Sequence, residues 1–342
     1  MANSNLYTKI KTNNATWRDL EKFLKLKEQK IDPYLKLAQN FTTKSFGNKL
    51  KIYTPGKKFP AISITGTGCS LNCSHCNKKY LESMKLISNK TPLKNYLFEL
   101  SERGGTGALI SGGCDSNGEV PLLSFLDVIT EVKKKTDLII NVHTGLLNER
   151  TAKRLAKANV DIISFDITMD REIIRDIYHL NKDIKAYKKA IKLLNSYRLN
   201  VVPHICIGLY YGKLHKELEA IKFLKESGIN PSLIVFLVLI PPTVSKEIFE
   251  IPNHIDIAKI IAATRFIYPT TEISLGCMRP RKRFRQKIET LAINSGITRI
   301  EIPSKRTLKW LETKHPNIKL QHYSACCAIP EKYEAKMNGS LS

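Results

Sequence analysis

From Ala61 onward, short β-branched apolar runs alternate with longer segments of helical period, and this alternation constrains the fold more than any other feature. Eight runs read as strands: 61–65, 107–111, 138–142, 160–165, 200–207, 233–239, 272–275 and 298–302. Runs that are apolar throughout mark strands covered on both faces, as in parallel sheets. The segments between them carry helix signals. Thr91-Pro92 places a cap and a first-turn proline before a helix over 92–103, closed by Gly104-Gly105. Residues 148–158 and 183–197 show 3.6-residue stripes, and 213–226 ends at Gly228. Eight strand–helix units without an internal repeat predict an α/β fold, a (β/α)8 TIM-type barrel. The alternative is a partial (β/α)6 barrel whose last two units form a C-terminal lobe.

The flanks read differently. Thr16 caps a helix expected over 17–29, with Leu20, Phe23, Leu24 and Leu26 as its apolar stripe and Asp32-Pro33 as its end. A second helix is expected over 34–39, and 41–60 reads as irregular lead-in. The expected organisation is a helical N-terminal extension (1–58), a barrel (59–303) and a C-terminal extension (304–342) carrying Cys326 and Cys327.

Hydrophobic residues make up 42% of the chain, enough for a substantial core. No run approaches the roughly 18 apolar residues of a membrane span, and the longest, Leu233 to Pro242, reads as a buried strand. Met1 to Asn14 is polar and lacks the apolar core of a secretory signal, so a cytoplasmic location is expected. In that reducing compartment, eight cysteines point to metal or redox chemistry rather than disulfides. The charge balance of 55 Lys and Arg against 31 Asp and Glu gives +24. It is concentrated in the first 60 residues and in Arg279 to Lys287, which holds six bases and no acid. Such a surface steers an acidic protein or a nucleic acid. A generally lysine-rich surface reads equally well, so charge does not choose the substrate.

Three cysteines crowd the loop after the first strand: Cys69, Cys73 and Cys76. Thiolates this close repel one another unless a metal holds them. Structural zinc sites usually pair two short ligand motifs across a spacer, and no second Cys-x2-Cys is present. Iron–sulfur clusters accept such short spacings, while zinc with His75 as fourth ligand stays open. A barrel places its chemistry at the C-terminal strand ends. There lie the cysteine loop, Ser111-Gly112-Gly113-Cys114, Asn141 and His143, Asp166, His204 and Cys206, and Cys277 with Arg279 and Arg281. Asp166 offers two acceptors to ligand hydroxyls, and the arginines offer charge to a carboxylate or an acidic partner. Cys206 reads as a small buried hydrophobe or as a ligand. A second iron–sulfur cluster is expected on Cys114, Cys277 and one or both of Cys326 and Cys327.

The spacing Cys-x3-Cys-x2-Cys after a first strand resembles the radical S-adenosylmethionine (SAM) superfamily. The resemblance implies that the three thiolates hold a 4Fe–4S cluster whose fourth iron is chelated by SAM. It also implies that His75 lies beside the adenine and that Ser111, Gly112 and Gly113 hold the methionyl amine, with Cys114 where an acid is usual. Asn141-Val-His143, Ser164-Phe-Asp166, Val202-Pro-His204, Ser274 to Arg281 and the terminal Cys-Cys are similar to the biotin-synthase-like branch, within it to the archaeal-type, two-protein lipoyl synthases. That likeness spans about Phe59 to Cys327 and leaves the first 55 residues uncovered.

The implied reaction is sulfur insertion into an octanoyl chain on a lipoyl carrier protein. A 5′-deoxyadenosyl radical removes hydrogen, and a sacrificial auxiliary cluster supplies the sulfur. The implied partners are an acidic octanoylated carrier, a paired homologous protein and an electron donor such as ferredoxin, with no membrane and no nucleic acid. Competing readings are a biotin synthase, whose auxiliary cluster uses an arginine ligand, a tRNA-modifying radical SAM enzyme, and a zinc-stabilised nucleic-acid-binding protein.

Overall fold

The computed structural model describes residues 2–243 and 248–337. Its centre is one parallel sheet of eleven strands: β1 (Lys49–Tyr53), β2 (Ala61–Ser63), β3 (Lys85–Leu86), β4 (Gly107–Ser111), β5 (Ile139–His143), β6 (Ile162–Asp166), β7 (Val201–Ile207), β8 (Leu233–Val238), β9 (Glu272–Leu275), β10 (Arg299–Glu301) and β11 (Lys319–Tyr323). Their order is β11-β1-β10-β9-β8-β7-β6-β5-β4-β2-β3, a curled partial barrel. All eight expected strands are present. β10 does not pair with β2 to close the ring; it pairs with β1, and β1 with β11.

β1 corrects the expected lead-in. Leu50 and Ile52 pack outward with the helices, while Lys51 and Tyr53 point into the barrel. The period of two was there, disguised by a lysine whose charge is satisfied only in the fold. The connections match the helical readings closely: Lys90–Glu102, Glu149–Lys157, Ile184–Ser196 and Glu217–Glu226. At the N-terminus the chain forms Ala2–Lys11, Trp17–Leu24 and Asp32–Phe46. Pro33 therefore sits in a first helical turn, where its missing N–H costs nothing, instead of ending the preceding helix. Thr16 and Asp19 form a reciprocal capping box. These helices lay Leu20, Phe23, Tyr34 and Ala38 on the helix His254–Ile267, an apolar layer separate from the barrel core.

Inside the barrel, alternate residues face inward. The first inward positions of β5 to β8 (Ile139, Ile162, Val202 and Leu233) are covered by Ala325, Cys327, Ala328, Ile329 and Met337. The segment after β11 therefore closes the end of the barrel where those strands begin. A buried charge network holds it there. Glu334 accepts from Tyr53 at 2.6 Å, Lys51 at 2.9 Å and Arg299 at 3.0 Å. Lys51 and Arg299 share Glu272 on their other side, and Arg299 donates to the Ile329 carbonyl at 2.6 Å. Two cations thus face two buried carboxylates, with the exposed Glu331 3.5 Å from Lys51, so each charge has an opposite partner, the condition under which buried charge is tolerated.

No helix among the described residues is long and apolar enough to cross a membrane.

Candidate active site

The cysteine loop leaves β2 and folds back on the Ser111–Cys114 strand end. The Ser63 hydroxyl donates to the Gly66 carbonyl at 2.6 Å, and Thr65 Oγ1 accepts from the Gly113 amide at 2.7 Å. The Ser70 amide donates to the Cys114 carbonyl at 2.8 Å. A Cβ on Gly113 would sit 2.0 Å from the Gly68 carbonyl oxygen and 2.5 Å from Cys69 Cβ. Its glycine is thus required by the cysteine loop packed on it. The loop turns at Asn72, Asn77 and Lys78, all at positive φ. On the far side the Ser74 amide donates to the Ile177 carbonyl at 2.8 Å, and the Cys73 thiol reaches the Tyr178 carbonyl at 3.6 Å.

Cys69, Cys73 and Cys76 face one another. Burial first, then the charges of Cys76 and Cys69, push the Cys73 thiol up to about 12. Burial also raises Cys76, against the opposing pull of backbone amides at Tyr80, Lys78 and Lys79. Burial thus opposes ionisation of Cys73 and Cys76, and a bound cationic centre would offset that cost. Cys114 lies with this group, its thiol raised by burial and by Cys69 and Cys73. It does not join Cys277, Cys326 and Cys327, with which the sequence associated it.

Asp166 ends β6 with its carboxylate exposed to the interior. Its charge acts on His75, His143, His204 and Tyr178. Burial nevertheless dominates the imidazoles, lowering His75 and His204 to about 4 each and lowering His143 as well. His204 Nδ1 lies 3.0 Å from the Val202 carbonyl, and its ring meets that of His143 edge-on at 5.5 Å. His75 lies against Tyr178 at 5.6 Å, and its buried Nδ1 has no partner among the described residues. Asn141 accepts from Ser164 at 2.9 Å, while its amide nitrogen, like Ser274 Oγ, is buried without a partner among the described residues. An unused donor on the cysteine loop itself, at His75, and a carboxylate acting on it, at Asp166, fit a polar, hydroxyl-bearing ligand next to a cluster on that loop.

The second cysteine group occupies the β9–β10 side. Glu301, Cys326 and Cys327 bring ligand atoms within 4.8 Å of one another. Cys277 joins them electrostatically: burial, then Glu301 and Cys326, raise its thiol. Its side chain still has accessible surface, so it faces an opening. Burial first, then the thiols of Cys206, Cys76 and Cys277, raise the Tyr80 phenol, so thiols of both cysteine groups act on that ring. Cys206 is likewise turned inward, near Asp166 and Glu217.

Arg279 was expected to meet a substrate or partner, and its geometry corrects that expectation. The side chain is buried and donates to Glu289 at 2.6 and 3.0 Å, the Gly276 carbonyl at 2.6 Å and the Glu301 carbonyl at 2.7 Å. It fastens the loop carrying Cys277 to β10. Arg281 is exposed. Glu301, Tyr178 and Glu217 were not singled out from sequence, and Tyr80 entered only as part of the Tyr80-Leu81-Glu82 segment that follows the cysteine motif. Glu217 accepts from the Gly208 and His215 amides at 2.8 and 2.7 Å, fixing the turn after β7. Only the period of two along β10 could have flagged Glu301, as the inward neighbour of Arg299.

The comparisons agree with this geometry. The family described as the radical SAM superfamily matches residues 63–217. A biotin synthase of Buchnera aphidicola subsp. Baizongia pistaciae is 26% identical over 293 residues, covering 82% of this chain and 80% of the relative. A biotin synthase of Methanococcus vannielii is 25% identical over 260 residues, covering 72% and 75%. In fold, the chain is similar to the FeFe-hydrogenase maturase HydG from Carboxydothermus hydrogenoformans, with a TM-score of 0.66, 17% identity and coverage of 88% and 70%. It is also similar to methylornithine synthase (PylB), with a TM-score of 0.60, 17% identity and coverage of 86% and 85%. By its cysteine loop, its partial barrel and these matches, the chain is similar to the radical SAM superfamily over residues 63–217 and to biotin synthases at low identity.

Proposed function

We propose that this enzyme inserts sulfur into an octanoyl chain carried on an acidic lipoyl carrier protein, in the manner of a two-protein lipoyl synthase. The observation that carries the reading is the pair of cysteine groups facing one interior, Cys69/Cys73/Cys76 on one side and Cys277/Cys326/Cys327 on the other, with thiols of both acting on Tyr80. One centre suffices to start radical chemistry; a second within the same barrel supports a sulfur source.

In this reading Cys69, Cys73 and Cys76 hold a 4Fe–4S cluster and Cys277, Cys326 and Cys327 hold the auxiliary one. When bound, the first cluster with SAM supplies the hydrogen-abstracting radical. The chain's residues then have separate tasks. Asp166 accepts from ligand hydroxyls, and the unpartnered His75 Nδ1 offers a polar contact at the same site. His143 and His204, kept neutral by burial, orient rather than donate charge. The segment 324–337 shuts the barrel at one end and excludes water there. The +24 chain would suit an acidic carrier without selecting it, with a paired homologue and a ferredoxin-type donor as further proposed partners and the cytoplasm as the proposed location.

The relatives named biotin synthase favour a second reading, sulfur insertion into dethiobiotin. Anaerobically reconstituted protein would be incubated with SAM, reductant and either an octanoyl-lysine carrier domain or dethiobiotin. Product mass gain from sulfur would be read alongside 5′-deoxyadenosine. Thiolated octanoyl product supports the first reading, and biotin formation replaces it with the second. 5′-Deoxyadenosine without sulfur transfer to either substrate refutes both.

A further inference from the structure

The Glu301 carboxylate is a buried charge without an obvious use. The residue is 5% exposed and closes β10 pointing inward. Among the described residues it forms no ion pair. The neighbouring cations are committed elsewhere: Arg299 and Lys51 to Glu272 and Glu334, and Arg279 to Glu289. Arg279 touches Glu301 only at its backbone carbonyl. What the carboxylate does meet is sulfur. It accepts from the amide and thiol of Cys327, and Cys327 in turn bonds Cys326. A buried carboxyl is paired with a cation, bound to a metal or neutralised; burial raises this one against the pull of the Arg279 charge, and its hydrogen-bond partner is a cysteine inside a cluster of thiols.

Building on the auxiliary-cluster reading above, we infer that Glu301 is the fourth protein ligand of the second iron–sulfur centre, completing a Cys277, Cys326, Cys327 and Glu301 set. The grouping within 4.8 Å of Glu301, Cys326 and Cys327 supplies its geometry. The clamp from Arg279 to the Glu301 carbonyl and the bond from Arg299 to the Ile329 carbonyl fix the two segments that bring it together. On binding, the thiols release their protons to solvent and the carboxylate enters ionised. Such a set would give the centre one carboxylate oxygen donor beside three thiolates, a donor less suited to iron–sulfur chemistry than thiolate and so a weaker hold on one iron.

The test uses the full chain with Cys69→Ala, Cys73→Ala and Cys76→Ala, so that all bound iron reports on the second site. Iron, sulfide and zinc per chain are measured after anaerobic reconstitution, together with 57Fe Mössbauer spectra. Into this background go Glu301→Ala, Glu301→Gln (which keeps the side-chain volume should the alanine variant unfold) and Glu301→Cys. Circular dichroism melts check that each is folded. The expected result is one iron distinguishable from the rest in the parent. Iron content should drop at least twofold in the alanine and glutamine variants, and the cysteine variant should keep full iron without the distinguishable signal. Variants with the parent's iron content and spectrum overturn the assignment of Glu301 while leaving the second cluster standing. A parent that holds no iron, or holds zinc instead, overturns the auxiliary cluster itself.

Discussion

Glu334 is the residue on which the placement of Cys326 and Cys327 depends, and its removal makes a quantitative prediction. Burial pushes its carboxyl up, yet Arg299, Tyr53 and Lys51 together hold it below the ordinary value of 4.5. Glu334→Gln keeps the shape but leaves Arg299 with Glu272 and Lys51 with Glu272 and the exposed Glu331. Breaking a buried ion pair by removing one partner costs about 3–5 kcal/mol. The retained amide oxygen favours the lower end, about 3 kcal/mol, which corresponds to roughly a 100-fold change in an opening equilibrium. The loss should be local, because Glu334 belongs to a segment with its own edge contacts while the barrel strands pair continuously. Hydrogen exchange reads this directly. The Ile329, Tyr333 and Met337 amides, hydrogen-bonded within the segment, should lose about 100-fold in protection. The β5 amides should lose far less, and iron at the second site should fall while iron at Cys69, Cys73 and Cys76 stays. The same logic gives a pH dependence. A depressed carboxyl contributes stability fully present above pH 4.5 and lost as pH falls through its lowered native value, so wild-type segment protection should fall below pH 4.5 and the glutamine variant's much less. Unchanged exchange over 325–337, or equal loss throughout the barrel, would refute the network as the local latch.

Further predictions follow from other sites. Gly113→Ala forces a Cβ against Gly68 and Cys69, costing about 1–3 kcal/mol; first-site iron should drop while the circular dichroism spectrum keeps its α/β shape. Glu289→Gln strands the buried Arg279, and a melt should show about 3 kcal/mol of destabilisation with loss of second-site iron as the Cys277 loop comes free. His204, with its value lowered to about 4 by burial, opposes protonation; its share of stability is present above its ordinary value of 6.5 and declines as pH falls toward 4, and NMR should find its ring neutral at pH 6. Thr16→Ala removes a helix cap, costing about 1 kcal/mol in melting experiments without changing iron content.

Much of this molecule is legible in one dimension. The eight expected strands could be read because each is buried on both faces, so its apolar run is continuous. The Cys69, Cys73 and Cys76 loop could be read because three thiols within eight residues are chemically costly without a metal. Local signals also located the connecting helices and the Thr16 cap. By itself, then, the sequence determined a parallel α/β fold with three crowded thiols in the loop after its first barrel strand. The tertiary structure decided everything that depends on long-range pairing. Lys51 made β1 look like a solvated lead-in until Glu272 and Glu334, more than 200 residues away, satisfied its charge. Arg279 looked like a surface base until Glu289 was brought to it. Cys114 was separated from Cys277, and Glu301 was set against Cys326 and Cys327. A charge or thiol acquires its role from the partner that burial brings to it, and only the fold specifies that partner.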